Sequence, residues 1–189
     1  MKWLLCCLGL FFISNSNSNE KQAEVCYSCH GSSGTSPVAL TPSLGGQPPF
    51  FVIAQLFLFR EGRRNKAPTP MDAIAKPLKD DDLRALAAIF SKQPPPRPAA
   101  QGRDEARYAR GKAIVAQRNC GTCHNPDFSG REQMPRLAGQ REDYLLKALR
   151  DYKKGDRIGY GNAAMPETVA DLGDGDLADV AHYLAFGAR

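Results

Sequence analysis

Two runs of five residues bound what this chain can fold into: Cys26-Tyr27-Ser28-Cys29-His30 and Cys120-Gly121-Thr122-Cys123-His124. Cys-x-x-Cys-His is the sequence form of covalent c-type haem attachment. Two thiols on one helical turn can add to the two vinyl groups of one haem, and the adjacent imidazole then lies under the porphyrin within reach of the iron. Such an iron takes a second axial ligand, and the chain offers one twice at the same distance. Met71 stands 45 positions past Cys26, and Met165 stands 45 positions past Cys120. The whole pattern recurs with an offset of 94 (26 to 120), so a polypeptide carrying two haem groups is expected. Zinc and dithiol chemistry fit less well. Zinc ribbons set their Cys pairs roughly 15–20 residues apart and need no His after each pair. A thioredoxin-like motif follows a β-strand, whereas Lys21 to Val25 and Val115 to Asn119 do not read as buried strands.

The chain begins Met1-Lys2, continues with eleven apolar residues from Trp3 to Ile13, and turns small and polar from Ser14 to Asn19. That apolar run is too short to span a bilayer and suits the core of a secretory leader. Residues 1–18 are therefore read as a signal peptide, with cleavage after Ser16 or Ser18 and the periplasm as destination. Cys6 and Cys7 would leave with it, and the remaining four Cys all lie in the haem motifs. The formal charge of +5 falls to +4 without Lys2. A weakly basic balance suits encounter with acidic protein surfaces. No basic run is interleaved with aromatics, which argues against nucleic-acid binding. The run Arg60 to Lys66 reads as a solvated helix end.

Pro94, Pro95, Pro96 and Pro98 cannot sit inside a helix and favour extended geometry. Residues 93–102 are accordingly an interdomain linker, between an N-terminal domain at 19–92 and a C-terminal domain at 103–189. The two halves align. Pro42-Ser43-Leu44-Gly45-Gly46-Gln47 corresponds to Pro135-Arg136-Leu137-Ala138-Gly139-Gln140. Middle helices follow, about Pro49 to Glu61 and Glu142 to Lys154, each ending before a glycine. Closing helices are expected over Asp82 to Ser91 and Asp176 to Phe186, with Asp80 and Asp174 as candidate caps. Leu83, Leu86 and Phe90 match Leu177, Val180 and Leu184 as an i, i+3, i+7 apolar face. No alternating strand pattern appears, so the fold class is all-α. Domains this small bury little apolar surface alone, and a covalently held haem would complete each core.

These features resemble the class I c-type cytochromes, and the tandem arrangement resembles the dihaem cytochrome c4 family over nearly the whole mature chain. The resemblance rests on both Cys-x-x-Cys-His motifs, the two Gly-Gln segments, the Gly-terminated helices and the two methionines. It implies two class I cytochrome c domains, each wrapped around one haem c. Cys26 and Cys29 would anchor the first haem, with His30 and Met71 on its iron. Cys120 and Cys123 would anchor the second, with His124 and Met165 on its iron. Pro42 and Pro135 match a proline whose carbonyl oxygen accepts a hydrogen bond from the ligand imidazole and so orients the ring. The family implies a periplasmic electron carrier that takes electrons from a quinol-oxidising bc complex and passes them to a terminal oxidase. An alternative is the dihaem cytochrome subunit of a periplasmic dehydrogenase such as a flavocytochrome sulfide dehydrogenase. A dihaem peroxidase or thiosulfate dehydrogenase would need an open or unusual axial position, which the evenly placed methionines argue against. No substrate chemistry is expected.

Two departures from the repeat stand out. The second domain has a leading helix, Asp104 to Arg118, with Gly111 placed to meet the closing helix, whereas the first offers only the polar stretch Asn19 to Glu24. On the middle helices, Phe50, Ala54, Phe57 and Leu58 stand where the second domain has Asp143, Lys147, Arg150 and Asp151. This apolar stripe is expected to be covered inside the molecule, by the other domain or by the segment before Cys26, with partner docking or a peripheral membrane contact as the alternative. His182 reads as a surface or core histidine rather than a ligand. Met134 lies only ten residues past His124, too short a path around the haem edge, and Tyr108, Tyr144, Tyr152 and Tyr183 read as core aromatic packing rather than a redox relay.

Overall fold

The computed structural model describes residues 16–98, 101–157 and 164–187. Most of the expected leader, with Cys6 and Cys7, lies outside them. The described residues form helices joined by turns, with two isolated bridges and no strand. The first group is α1 (Ser16–His30), α2 (Pro49–Arg60), α3 (Pro70–Ala75) and α4 (Asp80–Lys92). The second is α5 (Glu105–Gln117), α6 (Cys120–His124), α7 (Glu142–Lys153), α8 (Ala164–Val169) and α9 (Asp174–Ala185). Each group packs on its closing helix: α1 and α2 against α4, α5 and α7 against α9. Two separate apolar cores result, one around Leu83, Leu86 and Phe90, the other around Leu177, Val180 and Leu184. These are the two i, i+3, i+7 faces read from the sequence.

The lead helices differ from the expectation. The first domain does have one, and it is longer than the polar stretch before Cys26 suggested. α1 runs without a break through the first Cys-x-x-Cys-His motif. Ala23, fully buried, and Tyr27, whose ring stands edge-on to Phe90 at 6.0 Å, dock it on the closing helix. One small residue and one aromatic thus do what an apolar stripe usually does. In the second domain the lead helix and the motif are separate, because Asn119 takes a left-handed conformation (φ 53°) between α5 and α6. Gly111 lies where α5 crosses α9, and a Cβ there would sit 2.1 Å from the Asp179 carbonyl oxygen. Side-chain bulk is therefore excluded at that crossing.

The closing helices start two residues earlier than expected. Asp80 and Asp174 do not cap them; they begin the helices and pair with Arg60 and Arg150 instead. The capping carboxylates belong to Asp82 and Asp176, which accept from the backbone N–H of Lys79 (2.7 Å) and Gly173 (2.9 Å). The proline-rich linker is no free tether. It straps across both Gly-Gln loops so closely that a Cβ on Gly45 would lie 2.2 Å from the Pro94 carbonyl oxygen, and one on Gly139 2.5 Å from that of Pro96.

The apolar stripe of α2 is only partly covered. Ala54 and Leu58 are buried, Phe57 is half-buried under the Arg60 guanidinium, and Phe50 remains 49% exposed. Phe50, Ile53, Ala54 and Phe57 face an open recess whose far wall is Leu83 and Arg84 of α4. The covering element at this recess is the domain's own closing helix. The matching face of α7 carries the Lys147–Asp151 and Arg150–Asp174 ion pairs.

Candidate functional site

Each motif places its two thiols and its imidazole on one helical stretch. His30 is the last residue of α1, and His124 the last of α6. Cys26 and Cys120 are partly buried against the two cores, while Cys29 and Cys123 are exposed. Both histidines are buried, at 6% and 5% exposure. Nδ1 of His30 lies 2.8 Å from the Pro42 carbonyl oxygen, and Nδ1 of His124 lies 2.9 Å from that of Pro135. A carbonyl oxygen can only accept, so each Nδ1 carries the proton and each Nε2 has a free lone pair for a metal. Burial pushes both imidazoles below their ordinary pKa, with the carbonyl contact working partly against it. Burial also pushes the Cys26 and Cys120 thiols up.

Met71 and Met165 occupy equivalent places, each the second residue of a six-residue helix, α3 and α8. α3 is fixed at its start by Asp72, which accepts from the Thr69 N–H and hydroxyl. α8 packs on α7, and Met165 lies against the second core. Met134 instead closes a short turn with Arg131. Of the surface and core placements open to His182, the structure shows the core one: it accepts from the Asp104 N–H at 2.9 Å through Nε2, and Nδ1 meets Glu142 at 3.1 Å. This donor set, duplicated and presented from helix ends, fits an iron porphyrin held by two thioethers and an oriented imidazole in each domain.

The two histidine turns are also tied to each other. The loop after each proline hangs from its closing helix, through Gly46 N–H to Phe90 O (3.1 Å) and Gly139 N–H to Leu184 O (3.0 Å). Each loop then presents its buried glutamine to the other domain. Gln140 accepts from the Ser43 N–H at 2.8 Å and donates to the Ser43 carbonyl at 2.9 Å. Gln47 accepts from the Arg136 N–H at 2.9 Å and donates to the Arg136 carbonyl at 3.0 Å. Ser43 and Arg136 directly follow the prolines that hold the histidines. The sequence singled out Gln47 and Gln140 as members of a repeated segment, but their reach across the domain boundary was not visible there.

A second interface cluster was misread from sequence. Arg64, placed in a solvated basic run, is 7% exposed and stacks on Phe59 at 4.6 Å. Arg157 is 4% exposed and stacks on Tyr152, also at 4.6 Å. The two guanidinia share the Gln55 carbonyl oxygen and the Tyr144 hydroxyl. Backbone pairing of Lys66 N–H with Asp156 O (2.8 Å) brings these segments together. The available signal was the repeat itself, since Arg64 and Arg157 follow Gly62 and Gly155 at the same distance.

The fold and the duplicated motif define a c-type cytochrome of two tandem class I domains. The cytochrome c family model matches residues 108–186. The chain is 34% identical over 167 residues to a cytochrome c4 of Thiocapsa roseopersicina, covering 85% of each. It is 35% identical over 176 residues to a protein of Thiomonas intermedia named thiosulfate dehydrogenase electron acceptor, covering 87% of this chain and 79% of that one. Reduced recombinant cytochrome c4 from Pseudomonas stutzeri superposes with a TM-score of 0.78 at 27% identity, covering 93% of this chain and all of that one. The chain belongs to the cytochrome c4 family. It is a haem-bearing electron-transfer protein and not an enzyme.

Proposed function

We propose that the protein is a periplasmic electron carrier with two covalently bound haem c groups, one per domain. Cys26 and Cys29 anchor the first and Cys120 and Cys123 the second, with His30 and Met71, and His124 and Met165, as axial iron ligands. Pro42 and Pro135 hold the imidazoles in the tautomer that iron needs. The observation that carries this reading is the matched pair of buried histidine–proline contacts, with a methionine 41 positions after each histidine (30 to 71, 124 to 165). Thioether sulfur favours Fe(II), which suits a carrier of fairly high potential, and two filled axial positions leave no site for oxygen chemistry. No helix among the described residues is long and apolar enough to cross a membrane.

The test begins with intact mass, expected to exceed the polypeptide by two haems. Met71→Ala should then lower the potential of the first haem alone, because axial identity is the main lever on haem potential, with a range of about 0.8 V across ligand types. An unchanged titration curve in Met71→Ala would remove Met71 from the iron.

For partners, we propose a quinol-oxidising bc complex as donor and a terminal oxidase as acceptor. A second reading has a thiosulfate-oxidising enzyme as donor, and it is favoured by relatives named as acceptors for such an enzyme. Stopped-flow reduction of the purified protein by each candidate donor separates the two. A stable complex with a flavoprotein on size exclusion would instead favour the dehydrogenase-subunit reading.

A further inference from the structure

The loop between His30 and Pro42 is held in part by the other domain. Val38 O accepts from the Thr41 N–H at 3.3 Å, and the turn so closed puts Leu40 at φ 58°. That left-handed conformation crowds any residue with a Cβ and is uncommon outside glycine and asparagine. The Leu40 N–H donates across the domain boundary to Asp143 Oδ2 at 3.1 Å. Arg141 grips the same carboxylate with two bonds (3.0 and 2.8 Å) and donates a third, at 3.2 Å, to the Ser36 carbonyl oxygen. Arg141 foremost, joined by the Leu40 and Tyr144 N–H groups, holds the Asp143 carboxyl below its ordinary pKa against the effect of burial.

Ser36 carries this hold inward. It is buried, its hydroxyl donates to the Cys29 carbonyl at 2.8 Å, and its N–H donates to the Ser43 hydroxyl at 3.0 Å. Cys29 directly precedes His30, and Ser43 directly follows the proline whose carbonyl oxygen lies 2.8 Å from His30 Nδ1. Both ends of the histidine–proline contact are thus linked, through residues 36–40, to two side chains of the second domain.

The arrangement runs one way. In the first domain the counterparts of Arg141 and Asp143 are Pro48 and Phe50, which offer neither a guanidinium nor a carboxylate. The loop between His124 and Pro135 closes within its own domain instead. Asn125 donates to Ser129 Oγ (3.0 Å) and Gly130 O (2.9 Å), and Arg131 exchanges backbone bonds with Met134 (3.0 and 2.8 Å). The Arg131 guanidinium reaches the Thr122 carbonyl at 2.8 Å. The glutamine clasp acts on both domains alike; the Arg141–Asp143 pair acts on one.

We propose that Arg141 and Asp143 are positioning residues that brace the His30–Pro42 loop of the first domain, so that docking of the second domain sets the potential of the first haem alone. The inference rests on the two-haem reading above. A firm bond from Nδ1 to the Pro42 carbonyl makes the imidazole a stronger donor to iron and favours Fe(III). A slack loop weakens that bond and raises the potential.

The experiment is a potentiometric titration of the two-haem protein and of Asp143→Ala, Arg141→Ala and Asp143→Asn. The redox step that Met71→Ala moves belongs to the first haem. Both Ala variants should raise that step and leave the other in place. Asp143→Asn should recover most of the rise, because its side-chain oxygen can still accept from the Leu40 N–H. A direct field effect gives another pattern: loss of the anion raises a potential, loss of the cation lowers it, and Asn behaves as Ala does. Opposite shifts in the two Ala variants, equal shifts in Asn and Ala, movement of the second haem, or no movement overturns the brace. Should an Ala variant fail to load both haems, Arg141→Gln and Asp143→Asn still decide, since the brace gives a rise and a near-parent value where the field gives a fall and a rise. Amide hydrogen exchange supplies an independent reading: the Leu40 N–H should exchange more slowly in the parent than in Asp143→Ala, and equal rates overturn the contact itself. A parent lacking two covalent haems overturns the functional reading instead, and the Leu40 exchange rates then still report on the brace.

Discussion

Replacing Gln140 by Ala tests whether the glutamine clasp joins the two domains into one cooperative unit. The side chain makes three hydrogen bonds: from the Ser43 N–H (2.8 Å), to the Ser43 carbonyl (2.9 Å), and from the Arg141 N–H (3.0 Å). At about 1 kcal/mol net for each bond the loss is about 3 kcal/mol, and more if the Ser43 backbone groups stay dry and unpaired. They stand to stay dry, because Ser43 is 1% exposed. For a protein of this length each kcal/mol moves Tm by about 2–4 °C, so a shift of about 6–12 °C is expected. Two of the three bonds cross the domain boundary, and calorimetry of the haem-loaded variant should therefore resolve two transitions where the parent shows one. Gln47→Ala removes two bonds to Arg136 and should cost about 2 kcal/mol on the same reckoning. The double variant should cost less than the sum, since the second clasp has little to hold once the first has opened. A Tm shift under about 3 °C for Gln140→Ala, or strict additivity of the pair, would refute this account.

Two other outcomes follow from the second domain. Gly111→Ala puts a methyl 2.1 Å from the Asp179 carbonyl oxygen and 2.8 Å from the Tyr183 Cβ, so α5 must lift off α9. The expected loss is about 3 kcal/mol or more by urea titration, while Gly175→Ala, which meets nothing within 4 Å, should change stability by under about 1 kcal/mol. The Arg110 hydrogen bond and charge, with Arg107 beside it, hold the Asp179 carboxyl below its ordinary pKa against the opposing effect of burial. The folded state thus binds this proton less readily than the unfolded chain does. The stabilisation is present above the unfolded value, about 3.9, and is lost as pH falls through the depressed folded value. The stability gap between parent and Asp179→Asn, measured by urea at pH 6 and again near pH 2.5, should therefore shrink on acidification; a constant gap would show the ion pair to be irrelevant.

What the sequence revealed depends on how local the physics is. The haem motifs were legible because covalent attachment fixes spacing within five residues, and the closing helices because their apolar faces repeat every turn. The helix before Cys26 escaped because its docking uses one fully buried small residue, Ala23, and one edge-on ring, Tyr27, rather than a periodic stripe. The linker prolines announced that residues 94–98 stay out of a helix, as they do. Their contact with Gly45 and Gly139 joins residues far apart in the chain, and no composition rule encodes it. Arg64 was misread for a general reason: a basic residue past a helix end is usually solvated, and only a second buried charge at the matching place shows otherwise.

The repeat carries more of the site than either half does. Core positions need only be apolar and of fitting size, so the halves drift there, as Phe90 against Leu184 does. A buried polar side chain that reaches across the boundary has a fixed partner and tolerates little drift. Gln47 with Gln140, and Arg64 with Arg157, keep their identity in both halves and all four reach across. The groups between the arginines break this rule. Gln55 serves both guanidinia from the first domain, and its counterpart is Ala148; Tyr144 serves both from the second, and its counterpart is Phe51. Each domain thus supplies one shared acceptor and one arginine. Two copies of either domain alone would hold two arginines with both acceptors of the same kind or none where the other kind is needed. The arginine pair is symmetric in sequence and asymmetric in support, so the two domains are complements at their interface and not interchangeable units.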